Sequence, residues 1–282
     1  VLVEVIMIDD ASTDQTVSIA RNITDPRLTI LCQPENGGPS IARNTGIAAA
    51  KGDWIAVLDG DDYFEEGRLA NCLDQAITFK ADIVVDNLNI AHEDSRNRLL
   101  MFDNKNPLFQ RPTQIDLACF IRGNQSFLGG YTLGYLKPVF RRSFLLQHHL
   151  SYPTDIRIGE DYILMAEALA CGAICITTPH AGYIYTIRSG SISHHLDLES
   201  VTRIATADAK FLAKYPLDDR ALHAYGKRQH KLRIAYAFTR LVCAIKERNF
   251  PEIFSIILSS PTAIIELWRP IMARLNRTFK RG

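Results

Sequence analysis

Short apolar, β-rich runs alternate along this chain with polar loops and amphipathic stretches. Val1 to Ile8 is almost wholly apolar and stops at Asp9-Asp10-Ala11-Ser12-Thr13-Asp14, the pattern of a buried strand that ends in a polar loop. Ser12 or Thr13 can cap a helix over Gln15 to Asn22. Leu28 to Leu31 reads as a second strand. Asn36-Gly37-Gly38-Pro39 reads as a loop, and Ser40 to Ala50 as a helix of small residues ended by Gly52. Trp54 to Leu58 is a third buried strand, and it runs directly into Asp59-Gly60-Asp61-Asp62. Arg68 to Lys80 predicts a helix, and Ala81 to Val85 a strand.

The second half is less regular. His92 to Phe109 reads as a connection or hairpin, Thr113 to Gly123 as a helix, and Gly129 to Phe140 as a Gly-punctuated, strand-like passage. Arg141 to His148 predicts a short helix. Glu160 to Cys171 predicts an amphipathic helix with Ile163, Leu164, Ala166, Ala168 and Leu169 on its apolar side. Ala173 to Thr177 and Ala181 to Ile187 read as strands. From Leu198 the chain is helical, with a break at Tyr215-Pro216. Strands alternating with helices imply an α/β fold, a mainly parallel sheet covered on both faces. In such sheets ligands bind beyond the carboxyl ends of the strands, where both acidic clusters sit.

Composition narrows the classes. The 282 residues are 47% apolar and 22% charged, with a formal net charge of +1, a globular balance that excludes binding nucleic acid through bulk charge. Six cysteines, Cys32, Cys72, Cys119, Cys171, Cys175 and Cys243, show no C-x-x-C pair and read as buried thiols of a reducing compartment. The chain opens on its apolar run without a basic start or cleavage site. No stretch reaches the ~18 uninterrupted apolar residues of a membrane span.

The polar clusters suggest chemistry but leave alternatives open. The three carboxylates of Asp59, Asp61 and Asp62 repel one another unless solvent or a cation relieves them. Mg²⁺ and Mn²⁺ prefer carboxylate and phosphate oxygens, whereas Asp and Gly are equally good turn formers. Asp9-Asp10 can accept hydrogen bonds from a base or ribose, or can simply face a helix dipole. Glu160-Asp161 are either a proton acceptor with a neighbour or two N-terminal helix acids. Arg188-Ser189-Gly190-Ser191-Ile192-Ser193-His194-His195 offers a cation, hydroxyls and imidazoles suited to a diphosphate.

Taken in order, these segments resemble family 2 glycosyltransferases, which have the GT-A fold. Val5-Ile6-Met7-Ile8-Asp9-Asp10-Ala11-Ser12-Thr13-Asp14 resembles the family's V-I-V-V-D-D-G-S-T-D. Asn36-Gly37-Gly38-Pro39-Ser40-Ile41-Ala42-Arg43-Asn44-Thr45-Gly46 resembles its N-x-G-x-S-x-A-R-N-x-G. Gly52 to Asp62 resembles its G-x-[WY]-[IV]-x-[FV]-L-D-[SA]-D-D. The match is strong over roughly the first ninety residues, for a domain of ordinary size. The resemblance implies a Rossmann-like sheet flanked by helices over 1–197, with a helical C-terminal region over 198–282.

It also implies roles. Asp10 would contact the base of a nucleoside-diphosphate sugar, Asp59 the ribose or the metal, and Asp61 a Mg²⁺ or Mn²⁺ on the diphosphate. Arg43 would pass close to the nucleotide. Glu160-Asp161 resembles the family's E-D pair, with Asp161 the general base and Glu160 its neighbour. Tyr185 to Ser193 fits Y-x-x-R-x-x-S-x-S, so that Arg188, Ser191 and Ser193 would stabilise the leaving diphosphate, with His194 or His195 within reach of it. The Q-x-x-R-W segment of processive synthases is absent, which points to addition of single sugars. The expected activity is an inverting transfer to a glycan or lipid-linked acceptor in bacterial polysaccharide synthesis.

The family normally opens with a strand of V-S-[VI]-I-I-P-x-Y-N type and a helix, on the order of thirty residues, before the V-I-V-V-D-D strand. This chain starts beyond that unit, whose strand would sit centrally in the sheet. The alternative reading is therefore a truncated, inactive homologue that binds a nucleotide or a partner. A receiver-type phospho-acceptor domain is disfavoured because Lys80 and Lys105 lie at no strand end. After Glu266 the tail carries Arg269, Arg274, Arg277, Lys280 and Arg281 among Trp268, Ile271, Met272, Leu275 and Phe279. A basic helix of this kind suits an anionic leaflet, placing the protein in the cytoplasm and peripheral on the inner face of the plasma membrane. A tail helix packed on the domain is the alternative.

Overall fold

The computed structural model describes residues 2–92, 98–128, 130–187 and 197–262. The first elements are β1 (Val5–Asp9), α1 (Thr16–Arg21), β2 (Leu28–Cys32), α2 (Pro39–Ala49), β3 (Trp54–Ala56), β4 (Tyr63–Phe64), α3 (Arg68–Phe79) and β5 (Ile83–His92). They follow the sequence pattern except that β1 starts only at Val5, β4 is not among the expected elements, and β5 continues seven residues past the expected end at Val85. Helix α2 starts where Pro39 follows Gly38 (φ 82°), a backbone conformation that favours glycine.

The middle of the chain departs from the pattern. β6 (Arg98–Leu100) pairs antiparallel with β5, so the predicted hairpin is present. The helix expected over Thr113 to Gly123 is instead β7 (Thr113–Ile115) followed by α4 (Leu117–Arg122). Asp116 divides them by accepting a hydrogen bond from the Cys119 amide at 2.7 Å, which fixes the helix start there. The passage from Gly130 to Pro138 is a loop with one 3-10 turn at Leu133–Tyr135, and only Val139–Arg141 (β8) is a strand. Next come α5 (Arg142–Gln147), α6 (Glu160–Ala170) and β9 (Cys175–Ile187). The two strands expected around Pro179 are one long strand. It bulges between the pairs Asp86–Thr178 and Leu88–Tyr183 and then resumes its register. α7 (Leu198–Lys214), α8 (Asp219–Lys246) and α9 (Phe250–Ser259) complete the described chain.

The expected mainly parallel sheet is corrected to a mixed one. Its order is β3-β8-β5-β9-β4, with β6 added on β5 and β7 on β9. β8 lies antiparallel between β3 and β5. β5 and β9 are parallel, and β4 and β7 are antiparallel to β9. β3 and β5 still run the same way, because each opposes β8. The insertion of β8 comes from a long return of the chain, which local alternation does not encode.

β1 and β2 form their own parallel pair. A cavity of about 300 Å³, lined by Ile6, Ile8, Gly46, Ile55 and Val57 among others, lies between β1 and β3. This is the interval in which the family resemblance places a further strand. The β1–β2 pair is tied to the rest by Glu4, whose Oε1 accepts from the amides of Lys51 (2.7 Å) and Gly52 (2.6 Å). It is also tied by Ile8 packing close to Gly46 on α2.

The core sits between the large sheet and α6, with Phe120, Phe140, Leu164 and Tyr183 at its centre. Two buried ion pairs brace it. Arg68 binds Asp86 through Nε (2.9 Å) and a second nitrogen (2.8 Å), and also donates to the carbonyl of Lys137 at 2.6 Å. Arg228 on α8 binds Asp208 on α7 at 2.8 and 3.1 Å and donates to the carbonyl of Asn124. The helical region therefore packs onto the α/β part. Val201, Ile204 and Leu232 lie against Ile158, next to the start of α6. Of the cysteines only Cys72 and Cys175 are buried and Cys32 is exposed, which corrects the expectation of six buried thiols; all six are free.

Candidate active site

The carboxyl ends of β1 and β3, the inner face of α2 and the first turn of α6 converge on one ionic cluster. Asp10 follows β1. Its Oδ1 accepts from the Gly37 amide and its Oδ2 from the Gly38 amide, both at 2.8 Å. Its carbonyl accepts from the Asn36 side chain at 3.1 Å. Asp10 thus holds the glycine loop that opens α2, and Arg157 lies over Gly38, where a Cβ would be 3.7 Å from its Nε. Asp9 is buried, with Oδ2 accepting from the Ser12 amide.

Arg43 points from α2 into the centre. Its guanidinium donates to Asp59 Oδ1 at 2.7 Å, Glu160 Oε1 at 2.8 Å and Asp161 Oδ1 at 3.2 Å. Tyr152 lies beneath it, 5.2 Å from ring centre to guanidinium carbon. The neighbouring Asn44 locks the Tyr152 backbone by donating to its carbonyl and accepting from its amide, both at 2.8 Å. Lys137 closes the cluster from the other side, 2.8 Å from Asp59 Oδ2 and 3.2 Å from Asp161 Oδ2. Only 6% of Lys137 is exposed, so its ammonium requires these partners.

The charges set one another. Burial alone would raise the Asp59 pKa, but Lys137 and Arg43 outweigh it and bring it down to about 2. Burial alone would lower Lys137, yet Asp161 and Asp59 hold it well above the usual lysine range. Burial raises Glu160, and the charge of Asp161 adds to this against the pull of Arg43. Glu160 and Asp161 open α6 behind Gly159 (φ 88°), so the helix dipole also favours their charge.

The Asp59-Gly60-Asp61-Asp62 segment divides its labour. Both oxygens of Asp59 face cationic side chains. Asp62 is an anchor: Oδ2 accepts from the Tyr183 hydroxyl and Oδ1 from the Thr186 amide, both at 2.7 Å. Burial raises the Asp62 pKa. Asp61 is exposed and has no hydrogen-bond or ion-pair partner among the described residues. One free carboxylate beside a diphosphate is the usual demand of Mg²⁺ or Mn²⁺, so Asp61 fits a metal held jointly with a ligand. Among the described residues no three His, Cys, Asp or Glu side chains are gathered to hold a metal by themselves. Arg188, Ser191, Ser193, His194 and His195 lie outside the described residues.

The model of Glycosyl transferase family 2 matches residues 2–144. Over 281 residues the chain is 42% identical to succinoglycan biosynthesis protein ExoO of Rhizobium meliloti (strain 1021), covering 100% of this chain and 80% of that protein. The chain belongs to glycosyl transferase family 2. It is also 34% identical to succinoglycan biosynthesis protein ExoU of the same organism, covering 98% and 81%. In fold it matches residues 1–349 of S. aureus TarS in complex with UDP-GlcNAc, with a TM-score of 0.62 at 16% identity, covering 92% of this chain and 82% of that one. The mannosyltransferase PcManGT from Pyrobaculum calidifontis, in complex with GDP-Man and Mn²⁺, has a TM-score of 0.58 at 18% identity, covering 99% and 73%. The α/β fold of the GT-A type with a helical C-terminal region, as expected, is that of these neighbours, with the sheet mixed.

Within this family 2 domain, sequence reasoning singled out Asp10, Arg43, Asp59, Asp61, Glu160 and Asp161, and the structure brings Arg43, Asp59, Glu160 and Asp161 together. It missed Lys137, Tyr152 and Tyr183. Lys137 had a readable signal: it is a lone cation in the apolar run Tyr135-Leu136-Lys137-Pro138-Val139-Phe140, and a buried charge demands a partner. Tyr152 and Tyr183 carried none, because buried tyrosines are ordinary core residues.

Proposed function

We propose that this family 2 glycosyltransferase moves a hexose from a nucleoside-diphosphate sugar to a hydroxyl of a growing bacterial polysaccharide, with inversion. One observation carries the reading: Arg43 and Lys137 gather Asp59, Glu160 and Asp161 at the carboxyl ends of β1 and β3. The similarity along the whole chain to two succinoglycan biosynthesis proteins supports the polysaccharide acceptor.

The acceptor hydroxyl attacks the anomeric carbon on the face opposite the diphosphate. The new carbon–oxygen bond forms as the bond to the diphosphate breaks, and the hydroxyl proton passes to Asp161. Arg43 and Lys137 each hold one oxygen of Asp161, which fixes the carboxylate's orientation. Glu160 shares Arg43 with it and keeps that guanidinium in place. The loop that Asp10 locks accommodates the base, with Arg157 beside it. A divalent cation at Asp61 would offset charge on the leaving diphosphate.

We also propose work at the inner face of the plasma membrane, on a lipid-linked acceptor. α9 supports this by exposing Phe250, Phe254 and Leu258 along one stripe ahead of the basic tail, which lies outside the described residues. No described helix is long and apolar enough to cross a membrane. Sedimentation with anionic vesicles tests it; retention in the supernatant would end this part of the reading.

The main test is a screen of nucleoside-diphosphate sugars with Mn²⁺ and Mg²⁺, reading release of the nucleoside diphosphate. Release that disappears in Asp61→Ala supports the reading. No release from this chain, nor from one extended upstream, with the fold intact by circular dichroism, leaves only the nucleotide- or partner-binding role.

A further inference from the structure

Three tyrosines unused by the chemistry above lead away from the ionic cluster. Tyr185 lies on β9 two residues beyond Tyr183, hence on the same face of the strand, and Tyr183 holds Asp62. Tyr185 meets Tyr135 edge-on, with ring centres 6.0 Å apart at 90°. Tyr135 meets Tyr131 in the same way, at 5.6 Å and 88°. Tyr135 stands two residues before Lys137, so the inner end of the ladder adjoins the reacting groups. Tyr131, at the outer end, is 38% exposed.

The ladder ends in a basic groove. Tyr131 lines a cavity of about 320 Å³ with Arg122, Phe127 and Lys231. A second cavity of about 360 Å³ shares Gln125 and Lys231 with it and adds Lys227 and His230. Neither is lined by any carboxylate among the described residues. Cations collected on a concave surface without counter-charge favour an anionic ligand.

We propose that Tyr185, Tyr135 and Tyr131 form the acceptor platform, and that the groove of Arg122, Lys227 and Lys231 takes a phosphate-type group at the far end of the acceptor glycan. This rests on the transferase reading and deepens it by naming the acceptor class. Sugar rings carry C–H faces that pack on aromatic rings while their hydroxyls stay in water, and tyrosine joins an apolar body to a polar tip. The ring contacts run from Tyr185, next to Tyr183 on β9, out to Tyr131 at the groove, so an acceptor laid along them leads outward from the ionic cluster. The same groove would serve a glycan phosphate or a lipid-linked diphosphate, since both present phosphoryl oxygens to Arg and Lys.

The test is calorimetric titration of the full chain with three probes: cellotetraose, its reducing-end phosphate, and inorganic pyrophosphate. The phosphorylated tetraose should bind at least about tenfold more tightly than the neutral one. Tyr131→Ala should weaken both tetraoses about tenfold, as loss of an aromatic contact does, and Tyr131→Phe should restore them. Lys231→Glu should abolish only the advantage of the phosphate. The proposal is overturned if no tetraose binds, if the neutral and phosphorylated forms bind alike, if Tyr131→Ala changes nothing, or if pyrophosphate alone matches the phosphorylated tetraose. UDP and GDP binding, measured in parallel, should be the same in all variants. Failure of the unsubstituted chain to bind any nucleoside diphosphate would count against the transferase reading and not against the acceptor platform.

Discussion

Lys137 and Asp161 meet as an ion pair of 3.2 Å, although one stands before β8 and the other opens α6. The same ammonium reaches Asp59 at 2.8 Å, so one buried cation links the segment proposed to hold the metal to the proposed proton acceptor. Replacing it by Met leaves two carboxylates facing each other without it. Lys137→Met should lower kcat by roughly 10²-fold, the usual effect of removing one placed charge from a reacting site. Lys137→Arg should recover part of this. Steady-state kinetics on both variants decides it, and an unchanged kcat in Lys137→Met would remove Lys137 from the mechanism.

Asp161→Asn keeps the shape of the side chain but cannot take a proton. Transfer should fall by about 10² to 10⁴, the range for loss of a general base, while nucleoside-diphosphate affinity changes little. Comparing transfer rates with equilibrium nucleotide binding separates the two effects. Equal losses in both would mean that Asp161 shapes the pocket and does not accept the proton.

Arg68 and Asp86 are buried together, and Arg68 also carries the Lys137 carbonyl at 2.6 Å. Removing one partner strands the other charge. Asp86→Leu or Arg68→Met should each cost about 3–5 kcal/mol in urea unfolding. The double replacement Arg68→Met with Asp86→Leu should cost less than the sum of the two, because no charge is then left unpaired. Additive losses would mean that the two side chains act independently.

Asp59 gives a pH dependence with a defined sign. Its folded pKa, about 2, lies below the unfolded value of 3.8. Its ion pairs therefore add stability above the unfolded pKa, and that contribution is lost as pH falls through about 2. Unfolding free energies of the native chain and of Asp59→Asn should differ most near about pH 5 and converge toward about pH 2. A constant difference over that interval would show that Asp59 does not titrate as the ion pairs require.

Much of the fold's first half was legible because local rules act there. Pro39 after Gly38, the apolar run into Asp59 and the helix behind Gly159 are local signals, and each element appears within a residue or two of expectation. The middle was not legible for the same reason. Asp116 stops a helical pattern with its own side chain, and β8 becomes a strand only because β3 and β5 offer it two edges. The bulge at Pro179 looks like a strand boundary in sequence but is spanned by continued pairing of β9 with β5.

The sequence by itself determined the residue types of the site and the strand ends that bear them: Asp10 after β1, Asp59 to Asp62 after β3, Glu160-Asp161 at a helix start. These follow from patterns a few residues long. Only the tertiary structure decided what each acid does. Asp62 became an anchor when β9 brought Tyr183 and Thr186 to it, Asp59 became the partner of two cations, and Asp61 was left open. Charge pairing depends on distance in space, and the cations that sort these carboxylates reach them from α2 and from the loop before β8.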